Sequence, residues 1–140
     1  PMTGRADRGP YPEKGQTFSD VAIEVFIQNR QPEFSLTVDD IQKEGHVQSD
    51  IKLNERLRQL SLNDPIVKKA SWYVATELKT PDGKQVLLYC DESHPLSACT
   101  TSFVWKPGLM IYVRFNQKHG KDWPEIYSEI IRVLEQVKEL

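Results

Sequence analysis

From Ala70 onward, apolar and polar residues alternate with a period of two. In "SWYVATEL", Trp72, Val74, Thr76 and Leu78 fall on one face and Tyr73, Ala75 and Glu77 on the other, a strand pattern. "TPDG" is turn chemistry with Gly83 in the left-handed position, and "QVLLYC" returns the chain, so a hairpin is predicted over 71–90. A second hairpin follows from "TSFVW", "KPG" and "LMIYVRF". It places Leu109, Ile111, Val113 and Phe115 on one face and Met110, Tyr112 and Arg114 on the other. Four consecutive strands predict an antiparallel meander.

The period then changes. In "KDWPEIYSEIIRVLEQVKEL", Ile126, Ile130, Val133 or Leu134, and Val137 share a helical face. Asp122 is an N-cap candidate with Glu125 three residues on, and Pro124 occupies the tolerated first turn. Such a helix needs a sheet to lie on. The expected fold is therefore α+β: an antiparallel β-meander of about four strands packed against a C-terminal α-helix.

The N-terminal half is less regular. Phe18, Val21, Ala22, Val25 and Phe26 suit a helix near 20–30, whereas Ile23, Val25 and Ile27 alternate as in a strand, and β-branched content favours a fifth strand over 20–28. Thr37 and Asp40 form a capping-box pattern ahead of a short helix near 38–44, with Gly45 after it. Ile51, Leu53, Leu57 and Leu60 between Asp50 and "NDP" predict an amphipathic helix over 50–61. One or two short helices are thus expected before the meander. Residues 1–16, rich in Pro, Gly and charge, are expected to be a flexible lead, and 17–140 a single domain.

Composition adds limits. A hydrophobic fraction of 39%, a charged fraction of 27% and a net charge of −2 give no global attraction to nucleic acid. No apolar run reaches the roughly 18–20 residues of a membrane-spanning helix. Pro1 is not a translational start, so localisation has two branches. A signal or anchor removed ahead of it goes with the periplasm or another extracytoplasmic place, and initiation at Met2 goes with the cytoplasm.

The chain has two cysteines, at the inner ends of the second and third strands of the meander. If those strands pair, Cys90 and Cys99 face each other within disulfide reach, and an even count at matching loop ends reads as a bridge formed in an oxidising compartment. His94 between them offers a zinc alternative. Cys-x3-His-x4-Cys lacks both the tight cysteine pair and a fourth ligand, and His46 and His119 are remote. A reactive thiol at Cys90 is opposed by Asp91 and Glu92 beside it.

There is no Gly-x-Ser-x-Gly elbow, Gly-rich phosphate loop or His-Glu-x-x-His helix, so no catalytic, metal or cofactor residues are assigned. The expectation is a protein that is not an enzyme. Tyr73, Tyr89, Trp105 and Tyr112, aromatics with polar tips in the meander, are candidates for binding another protein, joined by Asp91, Glu92 and His94 in the loop between the cysteines.

Over residues 64–136 the chain resembles small bacterial envelope-anchored proteins encoded with type VI secretion effectors, some of them immunity proteins. Cys90 and Cys99 flanking a loop, Arg114 and Phe115 at the end of a strand, and Trp123 opening the last helix carry the likeness. The resemblance implies an extracytoplasmic module that neutralises a secreted toxin by occlusion, touching the membrane only through a removed anchor. An alternative is a winged-helix DNA-binding protein with helices near 20–30, 38–44 and 50–61, a wing at 71–90, and a basic stretch including Lys52, Arg56, Arg58, Lys68 and Lys69.

Overall fold

The computed structural model describes residues 23–29, 36–63 and 66–137. The expected lead at 1–16 lies outside them. Seven strands form one antiparallel sheet: β1 Glu24–Asn29, β2 Val47–Asn54, β3 Leu57–Leu62, β4 Ala70–Lys79, β5 Gln85–Asp91, β6 Ala98–Lys106 and β7 Leu109–Asn116. Their spatial order is β1-β7-β6-β5-β4-β3-β2, so the first strand pairs with the last. Two α-helices, α1 Val38–Lys43 and α2 Trp123–Glu135, complete the fold, with a 3-10 helix over Gln117–Asp122 leading into α2.

The four-stranded meander with helices before it is overturned. Residues 50–61 are no helix but most of the β2–β3 hairpin, turning where Asn54 Oδ1 accepts the Arg56 N–H at 2.8 Å. The physical reason is non-local. Leu57 and Leu60, whose spacing looks helical, are buried on opposite sides of β3, because that strand has an apolar cluster on each face. The segment at 24–29 is a strand, held by β7 through pairs such as Val25↔Val113. The winged-helix alternative loses the two helices it needed near 20–30 and 50–61, and its wing is a pair of central strands.

The main core lies between the sheet and α2. Val25, Leu88, Ile111, Val113 and Phe115 meet Trp123, Ile126, Ile130 and Leu134, all buried, as expected where an amphipathic helix covers one face of a sheet. A smaller cluster on the opposite face sets Val38 and Ile41 of α1 against Leu60, Val74 and Leu87. That short helix starts at a reciprocal capping box: Thr37 Oγ1 accepts the Asp40 N–H at 3.2 Å, and Asp40 Oδ2 accepts the Thr37 N–H at 2.9 Å. The Asp40 carboxyl is held below its usual range by those bonds from Thr37. At α2 the expected cap is absent. Asp122 makes no side-chain cap bond and instead lies 3.6 Å from His119 Nδ1 within the 3-10 helix.

Candidate functional site

Cys90 and Cys99 are directly opposed in β5 and β6, with Cα atoms 4.0 Å apart, and are joined by a disulfide whose residues are both fully buried. Period-two alternation points both sulfurs toward α2. The 3-10 helix closes over them with Gly120, where a side chain would be crowded: a Cβ there would lie 3.0 Å from Cys90 Sγ and 3.1 Å from Tyr73 Cε2. Residues 117–122 can therefore seal the bridge from solvent.

The bridge marks an interruption in the sheet. Between β5 and β6 only Tyr89↔Thr100 and Cys90↔Cys99 are in register, whereas β6 and β7 pair along nearly their whole length. Beyond the bridge the two strands diverge, and a cleft of about 450 Å³ opens between them. That volume is within the range of ligand-binding sites.

Each wall of the cleft has a distinct origin. Trp123 and Tyr127, one helical turn apart on α2, stand behind it with Phe103; ring centroids are 5.6 Å apart for Trp123–Tyr127 and 5.4 Å for Phe103–Tyr127. Their polar atoms are engaged with the sheet. Trp123 Nε1–H donates to the Val86 carbonyl at 3.4 Å, and the Tyr127 hydroxyl to the Lys79 carbonyl at 3.0 Å. Burial, followed by the nearby Asp82 charge, pushes the Tyr127 phenol well above its ordinary pKa, so it is a neutral donor at physiological pH. On the α1 side the rim carries Trp72 and Tyr89, edge-to-face at 5.3 Å, and Tyr112, which packs on Phe26 at 6.0 Å. Gln85 joins this rim to α1 by accepting the Val38 N–H at 2.7 Å. Among the described residues no Asp, Glu, Lys, Arg or His lines the cleft, in a chain that is 27% charged.

The candidate residues separate into three groups. Tyr89 and Tyr112 meet at the cleft. Trp105 is half-buried against the α2-side core, away from them. Tyr73 is only 1% exposed and leaves the set of surface aromatics: alternation turned it inward, under the 3-10 helix.

Asp91, Glu92 and His94 belong to the loop end of the molecule. Glu92 accepts from the Tyr73 hydroxyl at 2.5 Å and from Ser71 Oγ at 2.9 Å, and Gln59 Nε2 donates to that Ser71 oxygen at 2.9 Å. Burial, then the bond to Glu92, raises the Tyr73 pKa strongly. Asp91 accepts from Ser93 Oγ and Ser93 N–H, which hold its carboxyl below the usual range, and His94 Nδ1 accepts the Leu96 N–H at 3.0 Å. A second, more open depression of about 430 Å³ lies there, among Glu92, His94, Lys69, Lys118 and Lys121. Among the described residues no group of three or more His, Cys, Asp or Glu is arranged to hold a metal ion.

Trp72, Gln85 and the Thr100–Ser102 run were missed as cleft residues by the sequence reading. Trp72 was legible as lying on the face opposite Tyr73. The polar run inside a strand was the one available hint of a site in β6.

Comparison with protein-family models, with curated proteins and with solved structures finds no match for this chain. Among the described residues no helix is long and apolar enough to cross a membrane.

Proposed function

We propose that this protein is a non-enzymatic extracytoplasmic binding module that engages another protein at the β5–β6 cleft, and that it acts as an immunity-type protein by occluding a secreted effector. The observation that carries the reading is the cleft itself: an uncharged, aromatic-rimmed opening in an otherwise continuous sheet. Tyr and Trp supply contact area at low entropic cost and are enriched where proteins bind one another. Its lining offers hydroxyls, one amide and a neutral buried phenol, groups suited to holding a ligand and poor at moving protons near neutral pH. The Cys90–Cys99 bridge supports an oxidising compartment, since such bridges persist chiefly outside the cytoplasm.

The test is protection. Where a secreted effector is encoded beside this gene, a bacterial strain exposed to that effector should survive when the chain is exported to the periplasm and should not when it is retained in the cytoplasm. Tyr112→Asp should abolish both protection and co-elution of the two purified proteins. Equal protection by the Asp variant, or by the cytoplasmic form, would remove the reading.

A further inference from the structure

The walls of the cleft include two strand edges. Gln85–Leu88 of β5 have register partners in β4, and Thr101–Phe103 of β6 have partners in β7, while register between β5 and β6 stops at Tyr89↔Thr100. A strand paired on one side presents backbone N–H and C=O groups along the other, and this is the feature that templates addition of a further strand. Part of this edge is served by a side chain: the Trp123 indole reaches the Val86 carbonyl at 3.4 Å, beyond the usual 2.7–3.2 Å range for such bonds. Among the described residues the lining carries no ionised side chain that would match an anion or a cation. What the cleft offers is main-chain edges, the hydroxyls of Thr100, Thr101 and Ser102, and aromatic rings.

The geometry points to an extended segment of the partner polypeptide as the ligand. It lies between β5 and β6 and bonds main chain to main chain, so that a foreign strand completes the sheet. Alternate side chains of that segment face opposite ways. One set meets Trp72, Tyr89 and Tyr112 at the rim. The other meets Trp123 and Tyr127, whose packing admits small apolar groups best. The inference rests on the protein-binding reading above and specifies how the partner is held.

The probe is a library of random twelve-residue peptides displayed on phage, selected against the oxidised full chain. Selected sequences should alternate small apolar with bulkier residues over at least four positions, and synthetic copies should bind saturably. On binding, hydrogen exchange should slow at the amides of Gln85–Leu88 and Thr101–Phe103. Ser102→Trp changes an exposed cleft residue opposite Tyr112 and should weaken binding at least tenfold. Ser93→Trp, at the loop end, should leave binding unchanged, with circular dichroism and thermal midpoint confirming both folds. Failure to select any peptide, equal binding by Ser102→Trp, protection confined to other amides, or the same protection produced by chitotetraose would overturn the strand slot. A cognate effector that bound Ser102→Trp as tightly as wild type would remove the slot and leave protein binding standing. Peptides that bind in the slot while the exported chain protects no cell would remove the immunity role and leave the slot standing.

Discussion

Gly120 packs against Cys90 so closely that a Cβ on the glycine would sit 3.0 Å from the sulfur, with the second sulfur, of Cys99, at 3.4 Å. Neither sulfur is the far end of a flexible side chain, since each is tied to the other and to a central strand. Gly120→Ala should therefore lower unfolding free energy by about 1–3 kcal/mol, the usual range for overpacking a core. Denaturant melts of Gly120→Ala, Cys90→Ala/Cys99→Ala and the triple variant would measure the coupling. The alanine penalty should shrink once the bridge is gone, and an unchanged penalty would place the strain elsewhere, at Tyr73.

Removing the bridge alone has a separate expected size. The cysteines are nine residues apart in sequence, and closing so short a loop restricts the unfolded chain by about 2–3 kcal/mol. Cys90→Ser should lose at least that amount under oxidising conditions. In excess reductant, after one cycle of unfolding to expose the buried sulfurs, wild type should fall to the stability of the variant. An equal gap between the two proteins in both conditions would count against the bridge as the cause.

Tyr73→Phe deletes a hydroxyl that donates to Glu92 and leaves the ring in place. A hydrogen bond to a charged group contributes about 1.5–3 kcal/mol, so a loss within that range is expected, smaller to the extent that Ser71 and solvent still serve the carboxylate. The same contact has a pH signature. The folded-state pKa values of Tyr73 and Tyr127 are both raised, so their contribution is full below the unfolded value near 10 and is lost as pH climbs above it. Absorbance titration of the folded protein should leave two of its five tyrosines un-ionised at pH 11. Ionisation of all five below that pH in a still-folded sample would contradict the burial of these two.

At the acid end, Arg58 holds Asp50 through two bonds, Nε to Oδ1 at 2.7 Å and Nη2 to Oδ2 at 2.6 Å, and lowers its carboxyl pKa. A depressed carboxylate stabilises the fold above its unfolded pKa of about 3.9, and that contribution fades as pH falls through the lower folded value. Both side chains are about one-third exposed, so Asp50→Asn should cost no more than about 1 kcal/mol at pH 7 and less at pH 2. Paired urea melts at the two pH values would check the sign as well as the size.

What was legible in the sequence was local. Two hairpins, over Ala70–Asp91 and Ala98–Asn116, are specified by alternation and by turn residues such as Gly83; the Thr37–Asp40 capping box and the facing cysteines also lie within a few residues of their partners. The β2–β3 hairpin was misread because the strand face of Leu57 is settled by α2-side packing and that of Leu60 by α1, elements about 70 and about 20 residues distant, which no short window contains. Residues 18–29 carried both periods, and pairing with β7 decided for the strand over Glu24–Asn29. The cleft left almost no trace. The two strands part beyond Cys90–Cys99 with Trp123 and Tyr127 standing behind them, and nothing in "QVLLYC" or "CTTSFVW" encodes that.

Because β1 finds its only neighbour among the described residues in β7, about 85 positions further along, the chain reaches Asn116 before β1 can dock there. Joining distant segments carries a loop-closure cost and slows folding. During that wait Val25, Phe26 and Ile27 form a sticky, uncommitted ribbon of the type that seeds intermolecular pairing. Docking of β1 onto β7, which sets the outer edge of the sheet, is thus expected to be a late step in folding.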